Sequence, residues 1–354
     1  MEARRSSCSD PPCDNTGRIT EYRVLTSMLA DEDAPTRDIA VVGGSAGSLE
    51  ALRDIVGQLP ADSAIAMFVV VHILPTSPSR LPQILARAGR LPVRHAREGD
   101  RIEPGRILVA PPDRHLLLDP GGVQIDDGPR VNSTRPALDP LFRSAAAAFG
   151  PRVCGAVLSG NLDDGSEGLR VLASRGGLSL VQDPQEAPHP EMPLNALRRV
   201  PAAEVLSASA IGRRLATLAA VRADAGPAPA DAASVPLDLS LGSGGPEGVA
   251  TGLTCPDCGG VLWTDPDSDN LRCRAGHAYG LETLWAMKSA SVEQAVWTAM
   301  RTLQEDAGLA EHLAARARAS GSTHTAARFE RRYRDATRHA EVLRRLVHER
   351  EPQD

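Results

Sequence analysis

The segment 39–59 constrains the fold most, because it joins an apolar strand, a glycine-rich turn and an amphipathic helix. Residues 39–42 are consecutive apolar residues, which is typical of a short strand buried in a sheet. Residues 43–48 (Gly-Gly-Ser-Ala-Gly-Ser) predict a tight turn, and we expect Ser48 to be the N-cap of the following helix. Apolar residues then recur at helical spacing from Leu49 to Leu59. A strand, a sharp turn and a helix therefore open this fold.

Strand and helix patterns continue to alternate up to about residue 222. Such alternation predicts an α/β fold with a doubly wound, mostly parallel sheet. Residues 123–125 are expected to pair as a hairpin with the run before them. The apolar runs that predict the further strands lie at 66–71, 106–110, 115–118, 153–158 and 178–181.

Composition divides the chain into five parts. The polar start and the Ala-, Pro-, Gly- and Ser-rich stretch after the α/β unit predict a disordered tail and a flexible linker. Met28 is an alternative start of the protein. We expect a tail over 1–37, an α/β catalytic domain over 38–222, a linker over 223–250, a zinc-ribbon-like module over 251–280 and a helical hairpin over 281–350.

Charge and hydropathy exclude several classes of partner. The net charge of −6 argues against bulk attraction to nucleic acid or to anionic lipid. No apolar run of the sequence reaches the ~18 residues of a membrane span, and residues 1–37 lack the apolar core of a signal peptide. We therefore expect a cytoplasmic protein that neither binds nucleic acid nor inserts into a membrane.

The turn after the first strand carries Ser45, in a Gly-x-Ser-x-Gly pattern that fits a nucleophile elbow. The alternative is a phosphate-binding or purely structural turn. The dinucleotide-binding fingerprint requires a second glycine where Ser45 stands, and the P-loop requires a lysine that is absent here. Both phosphate-binding interpretations are therefore weakened.

Three reactive residues, Ser45, His72 and Asp164, each follow a predicted strand. The carboxyl ends of parallel strands share one edge of a sheet, so we expect these side chains to converge. A histidine can take the proton of a serine nucleophile, and a buried carboxylate can orient the imidazole. The alternatives are a histidine satisfied by local backbone and an ordinary turn aspartate, with Asp163 as a rival to Asp164.

These stretches resemble the catalytic domain of the chemotaxis protein-glutamate methylesterases. The resemblance covers about residues 38–210, and its motifs occur in the family's order. The alignment of the aspartate motif selects Asp164 over Asp163. The segments that carry the resemblance are 43–48, 70–75, 104–111, 114–118, 135–144 and 158–165.

The resemblance implies hydrolysis of glutamyl γ-methyl esters on the cytoplasmic helices of chemoreceptors, with release of methanol, and deamidation of glutamine at such sites. It implies Ser45 as nucleophile, His72 as base and Asp164 as the orienting carboxylate, with no cofactor for catalysis. By alignment, the backbone N–H groups of Ala46 and Asn161 would hold the oxyanion. The expected partner is a methylated chemoreceptor or a receptor-like protein.

The sequence departs from the family pattern in two respects. Family members usually carry an N-terminal receiver domain, whereas only 37 residues precede the α/β pattern here, and a domain usually needs ~100 residues or more. We therefore expect no phosphorylation control in cis. Asn161 and Leu162 replace Met-Gly, and Ala46 replaces Thr; we expect activity to survive and substrate preference to change.

A cysteine and histidine cluster follows the linker. Cys255 and Cys258, with Cys273 and His277 further along, have the spacing of a four-ligand zinc ribbon or knuckle. We expect a structural zinc ion, because four protein ligands leave no open position for catalysis. The alternative is a small β-hairpin that has lost its metal. Cys8 and Cys13, far from other ligands, are interpreted as incidental thiols.

Apolar residues at helical spacing from 284 to 313 and from 329 to 347 predict two antiparallel helices, separated by a break at 320–322. These helices are rich in arginine, which indicates either an acidic partner or simply a solvated face. We expect this region to dock a signalling partner in place of a receiver domain.

Two other functions compete with the esterase. An ordinary α/β-hydrolase would place its acid and then its histidine after the serine, with His189 as the candidate base. However, the elbow here follows the first strand of a domain that is too short for that fold. The other competitor is a catalytically silent signalling scaffold with a zinc-ribbon tail.

Overall fold

The computed structural model describes residues 37–73, 79–220, 248–266 and 268–348. The predicted tail and linker fall largely outside these residues, as do Met28, Cys8 and Cys13. The strands of the first part are β1 (Ile39–Gly44), β2 (Ala66–Val71), β3 (Val93–His95), β4 (Arg106–Val109), β5 (His115–Asp119), β6 (Gly122–Asp126), β7 (Val153–Val157), β8 (Leu178–Gln182) and β9 (Glu204–Leu206). Its helices are α1 (Ser48–Gln58), α2 (Leu81–Ala88), α3 (Leu138–Phe149), α4 (Ser166–Ser174), α5 (Glu191–Arg199) and α6 (Ala208–Ala220).

A seven-stranded sheet in the order β3-β4-β2-β1-β7-β8-β9 forms the centre of this part. All of its pairings are parallel, which confirms the predicted α/β class with a parallel sheet. The strand β1 lies between β2 and β7, so the strand order reverses beside it. Open α/β sheets bind ligands at such a switch point, outside the carboxyl ends of the strands.

Both faces of the sheet are buried, because side chains along each strand alternate between two apolar layers. In β1, Val41 faces a layer with α3, α4 and α5, whereas Val42 faces a layer with α1, α2 and α6. Val41 and Val42 are both fully buried. The continuous apolar runs of the sequence thus become strands that are covered on both sides.

The expected hairpin is present as β5 and β6, which pair antiparallel. Two edge strands, β3 and β9, were not predicted, because they are short and mix polar with apolar residues. The expected N-cap was wrong: Gly47 caps α1, and Ser48 is its first helical residue. Gly47 adopts a left-handed conformation with φ 74°, which glycine tolerates best.

The chain from 248 onward begins with a four-stranded antiparallel sheet. Its strands are β10 (Ala250–Thr254), β11 (Val261–Thr264), β12 (Leu271–Cys273) and β13 (Ala278–Tyr279). The short strand β13 also forms a parallel bridge to Val131 of the first part. This small sheet therefore lies against the loop that precedes α3.

Two helices, α7 (Leu281–Ala319) and α8 (Thr323–His348), follow β13 and pack along each other. Arg318 pairs with Glu330, and Arg332 pairs with Asp306. The buried positions between them are mostly alanines, such as Ala310 and Ala314. None of the helices in the described part of the chain combines the length and hydropathy needed to cross a bilayer.

Candidate active site and metal centre

Ser45 and His72 are the first residues after two neighbouring parallel strands, β1 and β2. Gly44 of β1 pairs with Val71 of β2, so Ser45 and His72 are the next residues in register on strands spaced ~4.8 Å apart. The backbone N–H of His72 donates to the carbonyl of Gly44 at 3.4 Å. The register of two strands thus places the serine and the histidine side by side at the switch point.

The turn that carries Ser45 is fixed by hydrogen bonds on both sides. The N–H of Ser45 donates to the carbonyl of Ser159, after β7, at 2.9 Å. The hydroxyl of Ser48 donates to the carbonyl of Ser45 at 2.7 Å. These contacts hold Ser45 at the carboxyl edge of the sheet, in front of the first turn of α1.

Asp164 reaches the same edge from the loop after β7. Its Oδ2 lies 2.7 Å from Nε2 of His72, and the hydroxyl of Thr134 lies 3.4 Å from that nitrogen. An ionised carboxylate can only accept, so the proton of this hydrogen bond is on Nε2 of the imidazole. His72 Nδ1 is then left with a lone pair.

The carboxylate of Asp164 also caps the start of α3. Its Oδ2 accepts from the N–H of Leu138 at 2.7 Å, and its Oδ1 accepts from Nδ2 of Asn132 at 2.9 Å. Complete burial opposes ionisation, but the hydrogen bonds from His72, Leu138 and Asn132 outweigh it and lower the pKa of Asp164. The N-terminus of α3 also favours negative charge at this position. Asp164 is therefore ionised next to the imidazole of His72.

Asn132 and Asp139 belong to this network, and sequence reasoning missed both. Asn132 donates to Asp164 and also to Oδ2 of Asp139 at 3.0 Å, and the N–H of Gly168 donates to Asp139 at 2.7 Å. Burial and the neighbouring charge of Asp164 raise the pKa of Asp139 well above its usual range. The surroundings of the two carboxyls therefore act in opposite directions, because they favour the ionised form of Asp164 and oppose that of Asp139. Asp139 lies in one of the segments that carry the family resemblance, but no pattern in the sequence indicates its contacts or those of Asn132.

Four polar groups at this edge have no partner among the described residues. Among the described residues, the hydroxyl of Ser45 and Nδ1 of His72 make no hydrogen bond to another protein atom. The same holds for the backbone N–H groups of Ala46 and Asn161. Catalytic hydrogen bonds often tighten only around substrate, and unpaired N–H donors are what an oxyanion requires.

The loop that carries Asn161 approaches the serine closely. A Cβ at Gly160 would lie 2.9 Å from Cβ of Ser45 and 2.1 Å from Sδ of Met192, so only glycine fits there. Ser159 ties the two loops together: its hydroxyl donates to the carbonyl of Ala46 at 2.8 Å and accepts from the N–H of His189 at 3.0 Å. Both candidate oxyanion donors thus lie on loops that Ser159 connects.

Asp163, the rival aspartate, faces away from His72. Its carboxylate accepts from the hydroxyl of Thr283 in the first turn of α7. A Cβ at Gly280 would lie 1.9 Å from Oδ2 of Asp163. The N-terminus of α7 therefore packs against this carboxylate. Burial, opposed by the bond from Thr283 and reinforced by Glu282, raises the pKa of Asp163 to about 6.

His189, the alternative base, lies beside the turn but lacks an acid. Its ring would be 3.2 Å from a Cβ at Gly47, and its backbone accepts from Gly160 and donates to Ser159. Among the described residues, no carboxylate bonds to its imidazole. His189 therefore supports the loops through its backbone, and the arrangement does not match the serine, acid and histidine order of an ordinary α/β-hydrolase.

The four candidate metal ligands come together in the small sheet. One donor atom from each of Cys255, Cys258, Cys273 and His277 lies within 4.8 Å of the other three. The Sγ atoms of Cys258 and Cys273 are 3.7 Å apart, and Nδ1 of His277 is 3.4 Å from Sγ of Cys273. Zn–S bonds of ~2.3 Å in a tetrahedron give ligand edges of ~3.8 Å. A disulfide would need sulfurs ~2.05 Å apart; the donor set therefore fits a tetrahedral zinc ion.

Comparisons with known proteins find relatives of the α/β part of the chain. The family model described as CheB methylesterase matches residues 40–215. A relative from Leptospira interrogans, provisionally named a protein-glutamate methylesterase/protein-glutamine glutaminase, is 34% identical over 168 residues, which are 47% of this chain and 87% of that protein. The crystal structure of the Thermotoga maritima CheB methylesterase catalytic domain has a TM-score of 0.50 at 28% identity, covering 52% of this chain and 100% of that chain.

The chain therefore belongs to the CheB methylesterase family. A further relative, protein-glutamate methylesterase/protein-glutamine glutaminase 2 of Anaeromyxobacter dehalogenans, is 41% identical over 170 residues, which are 47% of this chain and 50% of that protein. The chain thus spans about half the length of that relative. The segment with the metal ligands and the two long helices, from 248 onward, lies outside the residues matched by the family model.

Proposed function

We propose that this chain is a serine esterase that hydrolyses glutamyl γ-methyl esters on the cytoplasmic part of a methylated chemoreceptor or receptor-like protein. The same site would deamidate glutamine, releasing ammonia instead of methanol. The observation that carries the proposal is the bond of 2.7 Å between His72 and the buried Asp164, beside a serine that the strand register places next to the histidine.

The chemistry follows from the state of each group. Nδ1 of His72 takes the proton of Ser45 as Oγ attacks the ester carbonyl, while the ionised Asp164 stabilises the imidazolium through Nε2. The tetrahedral intermediate then expels methanol, which receives that proton, and leaves an acyl-serine. Water, deprotonated by His72, attacks the acyl group, and Ser45 regains its proton as the glutamate is released.

The negative oxygen of each tetrahedral intermediate requires fixed donors. The unpaired N–H groups of Ala46 and Asn161 supply two, and the first turn of α1 adds its partial positive charge. One such donor is typically worth about 3–4 kcal/mol of transition-state stabilisation. Because both donors are backbone groups, they do not depend on the side chains that differ from the family pattern.

The openness of the site suits a protein substrate. Ser45 and Ala46 are half-buried, and Gly47 is exposed. A glutamyl ester on the surface of a receptor helix can reach such an edge without entering a deep cavity. A substrate of this kind also implies a cytoplasmic enzyme, because the methylated receptor segments lie in the cytoplasm.

No cofactor is required for these steps, and the metal centre serves structure. We propose that Cys255, Cys258, Cys273 and His277 bind one zinc ion, which closes the small sheet as a zinc ribbon. Helices α7 and α8 would then form a hairpin that docks a signalling partner. Their arginines partly pair with carboxylates of the same helices, as Arg338 does with Asp335, so a solvated face remains the alternative.

The test measures methanol release from a methylated receptor cytoplasmic fragment. Ser45→Ala should lower kcat by about 10⁴-fold or more, the scale of losing a serine nucleophile. Ser174→Ala, on the exposed end of α4, is the matched control and should act like the wild type. Equal rates for the wild type and Ser45→Ala, with both folded, would favour the silent scaffold.

A further inference from the structure

The small sheet and its four candidate ligands, residues 250–280, are called the metal module below. The side chain of Asn132 connects this module with the carboxylate of Asp164. Its Nδ2 donates to Asp164 at 2.9 Å, and its Oδ1 accepts from the N–H of Gly280 at 2.8 Å. Its own N–H donates to the carbonyl of Ala278 at 2.8 Å. Asn132 is only 4% exposed. Through these three contacts, Asn132 connects Ala278 of β13 and the nearby Gly280 with the aspartate that bonds to His72.

The bond from Gly280 fixes which way the amide of Asn132 points. Both N–H bonds of Nδ2 are used, toward Asp164 and Asp139, and Oδ1 must then face a donor. Gly280 supplies that donor. Without Gly280 the amide would keep a buried, unsatisfied oxygen, which is costly, and its hold on Asp164 would weaken.

The metal lies next to these contacts in the chain. His277, the fourth ligand, directly precedes Ala278, and Gly280 is three residues after the ligand. The N–H of Cys273 donates to the carbonyl of His277 at 3.0 Å, so a metal held by both residues closes this turn. The turn also presses on the first part, because a Cβ at Gly276 would lie 2.7 Å from Cγ of Pro129.

Within the module itself, few side chains support β13. The strand comprises two residues, and the core of the module contains few side chains besides the ligands Cys255 and Cys273, with Tyr279 as its largest. Sheets this small usually require a metal or disulfides to fold. Loss of the metal therefore releases the segment that donates to Asn132.

We propose that Asn132 is a positioning residue through which metal binding in the 255–277 cluster controls the esterase. The bound metal holds Ala278 and Gly280, these hold Asn132, and Asn132 holds Asp164 in line with His72. The metal acts from outside the reaction: it touches neither substrate nor the reacting atoms. This inference rests on the proposed function for its rate effects, but the structural link can be measured without any substrate.

The first experiment measures hydrogen exchange at the backbone N–H groups of Asn132, Leu138 and Gly280 in the full chain. The chain is compared zinc-loaded, after chelation, and as Cys258→Ser, with zinc per chain determined in each case. We expect one zinc per loaded chain and faster exchange at all three sites after zinc loss. Cys154→Ala, which removes a core thiol that is not a ligand, should keep its zinc and its slow exchange.

The second experiment asks whether the effect on rate passes through Asn132. Zinc removal should lower kcat about tenfold with little change in KM, a coupling typical of residues that share one network. Asn132→Ala should cause a similar loss. Zinc removal from Asn132→Ala should then cause no further loss, because the connection is already broken.

The outcomes separate the two proposals. Failure of the wild type to bind zinc, unchanged exchange after zinc loss, or an equal further loss of kcat in Asn132→Ala would overturn the link. If Cys258→Ser does not fold, the chelated wild type with its native circular dichroism provides the same comparison. Zinc-dependent exchange without any methanol release would support the link and refute the esterase.

Discussion

Asp163 and Asp164 are adjacent in the chain, yet their carboxylates serve different helices. Asp164 accepts from His72 and from the first turn of α3, whereas Asp163 accepts from Thr283 in the first turn of α7. Burial and hydrogen bonding move their pKa values in opposite directions, with Asp164 lowered and Asp163 raised. Adjacent residues of one loop thus take part in two different contacts: Asp164 in the proposed catalytic network, and Asp163 in the attachment of α7.

The first prediction exploits this pair. Asp164→Asn should lower kcat by about 10⁴-fold, because a neutral amide neither selects the tautomer of His72 nor stabilises its imidazolium. Asp163→Asn makes the same chemical change one position away and should retain kcat within a few-fold. Methanol release and thermal unfolding of both variants provide the measurement; a loss in Asp163→Asn as large as that in Asp164→Asn would contradict these assignments.

The second prediction concerns pH. The folded pKa of Asp163 is about 6, above the ~3.9 of an unfolded aspartate, so the folded state binds more protons between these values. The contribution of Asp163 to stability is therefore fully present below about pH 4 and is lost as pH rises through about 6. Asp163→Asn should abolish this contribution. Urea unfolding at pH 5 and pH 7.5 should thus show a larger fall in stability for the wild type; equal falls would remove Asp163 from this role.

The third prediction tests how closely the loops meet at the serine. Gly160→Ala places a Cβ 2.9 Å from Cβ of Ser45 and 2.1 Å from Sδ of Met192. We expect this crowding to shift Asn161, the proposed oxyanion donor, and to lower kcat by about 10²-fold. Gly308→Ala, within α7, meets no atom within 4 Å and should stabilise the chain by about 1 kcal/mol without changing kcat. Full activity in Gly160→Ala would count against Asn161 as a donor.

The fourth prediction addresses Ser159, whose hydroxyl connects the loops of the two proposed oxyanion donors. Ser159→Ala removes the bonds to Ala46 and His189. We expect kcat to fall about tenfold, less than the ~10²–10³ lost when a donor itself is removed, while KM stays within about twofold. Kinetics against Ser174→Ala provide the check, and a change confined to KM would indicate a role in binding instead.

The fold of the first part was predictable from sequence because its strands are continuous apolar runs. Residues 39–42 and 66–70 are buried on both faces of the sheet, and such apolar runs are compatible with few other structures. The edge strands β3 and β9 were not predicted, because edge strands tolerate polar residues and so lack a continuous apolar run. Ser48 was misjudged as a cap because Gly47 takes the left-handed position and leaves the serine inside the helix.

The candidate site was predictable only in part. Ser45, His72 and Asp164 follow strands, so their common edge could be foreseen from the parallel sheet. Asn132 could not, because its partner Gly280 is 148 positions away and neither residue lies in a periodic pattern. Contacts between a loop and a separate small sheet depend on docking, which leaves no local trace in the sequence.

The charge of Asp164 is balanced without an arginine or lysine. Among the described residues, its donors are the imidazole of His72, the amide of Asn132 and the backbone of Leu138 and Asp139. Fixed dipoles inside a protein are screened far less by dissolved ions than exposed charges are. The ionisation on which the imidazole depends should therefore persist from dilute buffer to concentrated salt, and any sensitivity of turnover to ionic strength would come from the encounter with the substrate.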